Sequence, residues 1–194
     1  MIWGGIYDAN SSTGNYDGYI SLQNIYSNIF CVLSIFAVYI TPFILFNLKT
    51  FLLYLKKNYL YLFLITIIIL ILPFEYKWWA AKISLGGGMI LKGSLLIFND
   101  YIFFKLYAAF GIIILSFLFY LNKNNFYILF PILIIFCLPK IFFQEYMDPL
   151  IYIISIFFLD FRNKKFIIDY KFVIFLLFYQ IIILSSSIFY QHIY

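Results

Sequence analysis

Charge is what this sequence has least of. Its 194 residues include eight acids, thirteen bases and one histidine, so 11% are charged, where a soluble domain carries about 25%. A soluble ball of this size buries about 70% of the surface its unfolded chain exposes and needs a polar skin for the rest. These few charges cannot make one, which excludes an ordinary soluble globule. A disordered chain is excluded too, because disorder requires low hydrophobicity and abundant charge. The net charge of +5 does not make a nucleic-acid module, since the bases are scattered between apolar runs instead of clustering on one face. Cysteine is scarce as well. Cys31 and Cys137 each sit inside an apolar run with no Cys-x-x-Cys spacing, and both read as small core residues. What is present is apolar: 65% of the chain is hydrophobic and 25% aromatic, with 26 Phe and 19 Tyr. The composition is that of an integral membrane protein. Phe, Tyr, Ile, Lys and Asn are enriched together, as an AT-rich genome produces, so aromatic richness alone does not mark a ligand site.

The expected fold is all-α, a polytopic membrane helix bundle. A membrane helix needs about 20 apolar residues, and six runs qualify as spans: 28–46, 59–74, 101–121, 126–143, 149–161 and 172–190. The second and fifth are short and call for little tilt, local thinning or shielding by neighbours. A β-barrel would need strands of alternating polarity, and the run Leu64 to Leu72 does not alternate. Asp148-Pro149 reads as a helix cap followed by proline in the first turn. Pro73 closes the second span, Pro42, Pro131 and Pro139 fall inside spans, and Asn122 to Asn125 forms a tight polar turn. The organisation is therefore a single membrane domain over 1–194, with an outer loop at 1–27, six spans within 28–190 and a second outer loop at 75–100.

Orientation follows from the bases. Lys49, Lys56, Lys57, Lys123, Arg162, Lys164, Lys165 and Lys171 fall in short loops on one side, and Lys77, Lys82, Lys92, Lys105 and Lys140 on the other. The first set is the larger, so its side is predicted to be cytoplasmic. Both termini and the 75–105 and 144–148 segments then face outside or the lumen. The expected location is a multi-pass position in a bacterial plasma membrane or in an ER or organelle membrane. Residues 1–24 have a polar, glycine-bearing loop composition with no basic n-region or apolar h-region, so they are not a signal peptide. They look like a loop between spans, which raises the expectation of a fragment of a longer protein.

Several motifs carry no chemistry. Gly86-Gly87-Gly88 with Lys92-Gly93-Ser94 lacks the order and the leading strand of a phosphate loop. His192 has no Cys, His or acid cluster beside it, so neither a metal nor a cofactor is expected. Ser185-Ser186-Ser187 reads as a helix-packing or back-bonding element. Two outer clusters offer more. In the first, Glu75 to Lys82, Trp78 and Trp79 with Lys77 and Lys82 form either an interfacial belt or a surface site. In such a site a lysine would meet a lipid-linked phosphate and a tryptophan would stack on a sugar or prenyl chain; Met89 to Phe98 would follow as a short interfacial helix. In the second, Lys140 to Pro149, Glu145 and Asp148 with Lys140 are costly at membrane depth unless paired or in water. They form either a charged surface cap or part of a site.

Glu145-Tyr146 followed by Pro149 at the head of an apolar span resembles the Glu-x-Arg-Phe/Tyr-x-x-Pro signature of multi-spanning GT-C type glycosyltransferases, which use polyprenyl-phosphate sugars. The likeness is to the α-1,2-glucosyltransferase branch and its bacterial relatives, and the arginine of the signature is absent. Trp3-Gly4-Gly5, Asn24-Ile25-Tyr26 and Thr41-Pro42-Phe43 resemble the late part of such enzymes. The resemblance implies a C-terminal membrane half that moves a sugar from a polyprenyl-phosphate donor on the outer or lumenal face. Lys77, Trp78, Trp79, Lys82, Glu145 and Tyr146 are its candidate substrate-binding residues. The family's catalytic acid lies in a first outer loop that has no counterpart here, so the catalytic residue stays unassigned. Membrane lipids and a polyprenyl-linked sugar are the implied partners, and nucleic acid is not one. The alternative is a non-catalytic structural subunit of a membrane complex, such as an organelle-encoded respiratory component. A transporter half is disfavoured, because no span carries an acid at its centre.

Overall fold

In hydrocarbon every backbone N–H must find its partner within its own segment or in a closed sheet. The uninterrupted Ile, Leu and Phe runs of this chain take the helical solution. The computed structural model describes residues 22–74, 88–138, 147–159 and 170–193. Those residues form seven α-helices and no strand: α1 Leu22–Phe46, α2 Leu48–Ile71, α3 Gly88–Phe98, α4 Ile102–Leu121, α5 Lys123–Cys137, α6 Asp148–Phe157 and α7 Tyr170–Ile193. Among them α1 (from Ile25 to Phe46), α2 and α4 are long and apolar enough to cross a membrane, with mean hydropathies of 2.5, 1.6 and 2.3. The described residues are accordingly all-helical, and the chain has the make-up of a membrane protein.

Contacts give the helices their relative directions. Phe30 lies against Phe104, ring centroids 6.5 Å apart, and farther along Leu33 meets Gly111, so α1 and α4 run parallel. The Asn28 side chain donates to the Cys137 carbonyl at 3.2 Å, which sets the end of α5 beside the start of α1. Phe172 at the start of α7 packs on Phe43 and Phe46 near the end of α1, while Tyr179 reaches back to Val38. Both α5 and α7 are therefore antiparallel to α1. Tyr54 touches Ser116 and Phe117, and Leu70 and Leu72 meet Lys105, so the later part of α2 runs antiparallel to α4.

α1 is the central element: Ile35, Phe36, Ala37, Tyr39 and Ile40 are fully buried. Its closest partner is α4, which presents the small residues Ala108, Ala109 and Gly111 as buried positions. A Cβ at Gly111 would overlap the backbone carbonyl of Leu33, so only glycine permits this approach. Pro42 inside α1 has no N–H for the Val38 carbonyl. The Tyr179 hydroxyl of α7 donates to that carbonyl instead, at 2.7 Å. A proline that would break a helix in water becomes the anchor point for a neighbour.

Two expectations are corrected. Lys49, Lys56 and Lys57 do not sit in a loop, because α2 begins at Leu48 and continues through them to a break at Asn58, whose φ and ψ are −115° and 17°. The Asn58 amide donates to the Tyr54 carbonyl at 3.0 Å and steadies that break. Asp148 is not the cap of α6; the helix starts at Asp148, Met147 holds the capping position without a side-chain hydrogen bond, and Pro149 falls in the first turn. The fourth apolar run is helical to Cys137, and its expected continuation over 139–143 lies outside the described residues. The tight turn at Asn122 is present: its side chain accepts from the Asn124 N–H at 3.0 Å, and Asn125 donates to the Leu118 carbonyl at 3.1 Å. The short helix expected at Met89 to Phe98 is also present as α3, packed on α1 and α4.

Candidate functional site

Lys77, Trp78, Trp79, Lys82, Glu145 and Tyr146 all lie outside the described residues, as do Lys140 and Trp3. The described residues do fix the points from which the chain departs toward both clusters. Pro73, just before 75–87, offers its carbonyl to the Tyr26 hydroxyl, and Cys137, just before 139–146, offers its carbonyl to Asn28. Tyr26 and Asn28 are two positions apart on α1, about 3 Å along its axis. Phe74, next to Pro73, is buried in ring contact with Phe30, Tyr101 and Phe104. The described chain thus leaves toward both segments from one end of the bundle.

Two further features stabilise that end. Lys105 of α4 donates through Nζ to the carbonyls of Leu70 at 3.1 Å and Leu72 at 2.7 Å. These belong to the last turn of α2, where unpaired carbonyls and the negative end of the helix dipole favour a cation. At the corner between α3 and α4, Asn99 adopts a left-handed φ of 51° and Asp100 accepts from the N–H groups of Tyr101 and Ile102. The buried Ser94 hydroxyl donates to the Asp100 carbonyl and accepts from the Phe104 N–H. The sequence places a lysine in the first turn of α4, but its role depends on which carbonyls come to it across the bundle.

The opposite end, where α1 and α4 finish, holds a groove of about 470 Å³ lined by Tyr54, Asn58 and Tyr61 of α2, Ser116 and Tyr120 of α4, and Lys123 at the start of α5, among others. The Tyr54 and Ser116 hydroxyls are 2.6 Å apart, and the Lys57 ammonium stands 5.9 Å above the centre of the Tyr120 ring. Sequence reasoning missed this groove because its parts come from three helices; the break at the Lys56-Lys57-Asn58 run was its one visible signal. Among the described residues no group of three or more His, Cys, Asp or Glu side chains converges. No protein-family model, curated protein or solved structure matches the chain.

Proposed function

We propose that the chain is a multi-pass membrane body of six spans that serves as the membrane part of a glycosyltransferase, receiving a polyprenyl-phosphate sugar at the face opposite its more lysine-rich end. Lys49, Lys56, Lys57, Lys123 and Lys171 lie on the segments at the end where α1 and α4 finish, which favours that end as cytoplasmic. The observation that carries the reading is that the described chain leaves toward both outer clusters from one end, beside Tyr26 and Asn28. A lipid-linked sugar phosphate needs a cation for its phosphate and aromatic faces for its sugar or prenyl chain, and Lys77, Lys82, Trp78 and Trp79 supply those groups. Glu145 and Tyr146 belong to the second cluster.

A photoreactive polyprenyl-phosphate hexose in membranes containing the chain tests this. Crosslinks are expected in 75–87 and 139–146, competed by unmodified donor but not by free polyprenol, and reduced about tenfold by Trp78→Ala with Trp79→Ala. Labelling that ignores donor competition would overturn the reading.

A second reading is a non-catalytic structural subunit. It is favoured by the acids of the described residues: only Asp100 and Asp148 occur there, and the Asp100 carboxylate is engaged in capping α4. Co-purification in fixed stoichiometry with other membrane chains, together with absence of donor crosslinking, would select it.

A further inference from the structure

The groove between the α2 break and the α4–α5 turn lies at the other end of the bundle from the proposed donor site, and its chemistry differs. We infer that it binds the phosphate headgroup of an anionic membrane lipid.

Three observations lead there. The first is charge. Lys123 lines the groove and Lys57 overhangs the Tyr120 ring on its wall, whereas no acid occurs in the described parts of α2, α4 or α5. Two cations at a membrane surface, with no acid on the three helices that form the groove, attract an anion. The second is donor geometry. When two hydroxyls share one hydrogen bond, one donates and the other keeps its own proton for a third partner. The Tyr54–Ser116 pair, 2.6 Å apart, therefore retains one O–H to offer into the groove. Tyr61 lines the same space. Lysine ammonium and hydroxyl donors of this kind suit a phosphate oxygen.

The third observation selects a lipid over a soluble anion. Tyr61, Leu64, Ile68 and Ile71 are spaced three, four and three residues apart, so they lie on one face of α2. All four are exposed, at 57%, 51%, 56% and 76%. This face starts at the groove and continues for about 15 Å along the helix, enough for most of an acyl chain. The arrangement is polar and cationic at one end and apolar along its length, the complement of a phospholipid. A volume of about 470 Å³ admits a glycerophosphate headgroup with its water, within the roughly 300–1,000 Å³ of ordinary ligand sites. The break in α2 falls at Asn58, which itself lines the groove.

The test is lipid binding by the purified full chain, read by native mass spectrometry during titration with phosphatidylglycerol or phosphatidylcholine. Phosphatidylglycerol is expected to be retained at least tenfold more tightly. Lys57→Gln with Lys123→Gln should remove that preference, Tyr54→Phe should weaken it several-fold, and Lys57→Arg should preserve it. Lys171→Gln, at the same end but outside the groove, should leave it within twofold. Equal retention of the two lipids, or a preference indifferent to the groove substitutions, would overturn the inference. So would inorganic phosphate that binds at these residues as tightly as the lipid, since the ligand would then be a soluble anion. Tyr54→Phe and Lys57→Arg keep the helices intact, so the comparison stands if the double variant does not fold.

Discussion

Two helices of nearly equal length, α1 with 25 residues and α2 with 24, are both rich in Ile, Leu and Phe, yet they occupy opposite surroundings. Of their most apolar windows, 78% is buried inside the protein in α1 and 17% in α2. Both are apolar enough to cross a membrane, at mean hydropathies of 2.5 and 1.6, and lipid tails welcome an apolar side chain as readily as a protein core does, so hydropathy alone does not decide which helix is enclosed. What separates them is small and polar residues. α1 carries Asn28, Ser34, Ala37 and Thr41, whose short side chains allow close contact, and the side chains of Asn28, Ser34 and Thr41 donate to carbonyls of α1 or of α5. Beyond Asn58, α2 is almost entirely Leu, Ile, Phe and Tyr, and its one hydroxyl-bearing aliphatic residue, Thr66, bonds back to Leu62 at 2.9 Å. A helix in this bundle is drawn to the centre by what it can bond and how closely it can be approached.

Substitutions that spoil close approach should break this contrast most. Gly111→Val places branched carbons onto the Leu33 carbonyl and forces α1 and α4 apart. The expected cost is about 3 kcal/mol, the upper part of the range for overpacking, measured as a shift in the detergent-titrated unfolding midpoint. An unchanged midpoint would mean that the two helices are not packed at this point.

Lys105→Met should come next. It removes two charge-assisted bonds from the end of α2 and should cost about 2 kcal/mol. Hydrogen exchange should accelerate at residues 68–72 and leave α1 protected. Equal acceleration in both helices would show a global effect instead of a loosened α2 end.

Tyr179→Phe should cost about 1 kcal/mol by stranding the Val38 carbonyl. The same change in a Pro42→Ala background should cost close to nothing, because alanine restores the N–H that carbonyl lacks. Additivity in this double-mutant cycle would separate the proline from the tyrosine.

Smallest of all, Ile68→Ala on the exposed face of α2 should stay within about 0.5 kcal/mol. A cost several times larger would mean that protein, not lipid, covers this face.

The long apolar helices were legible because they need only uninterrupted hydrophobic sequence, and the Asn122 turn because its asparagines act locally. The extent of α2 was not. Lys56-Lys57-Asn58 looks like a loop, yet long lysine side chains keep their charges outside while their backbone stays helical, and only Asn58 departs from helical geometry. The partners of Pro42 and Lys105 were equally hidden. A proline announces a free carbonyl but not the helix that will reach it, and a lysine near an apolar span does not say which carbonyls it will meet. The groove required three segments distant in sequence. The predicted site residues from Lys77 to Lys82 and Glu145 to Tyr146 fall outside the described residues, so the fold informs them only through the positions of Pro73 and Cys137.

The contrast between the two helices is tested most directly with a hydrophobic diazirine dissolved in the bilayer, photolysed around the unaltered protein and mapped by peptide mass spectrometry. Carbene insertion should concentrate on α2 at Tyr61, Leu64, Ile68 and Ile71, all exposed, and be several-fold lower across Phe30 to Ile44 of α1, all but Thr41 of them buried. Equal labelling of the two segments, or labelling of the α2 face only by a water-soluble carbene, would contradict the account.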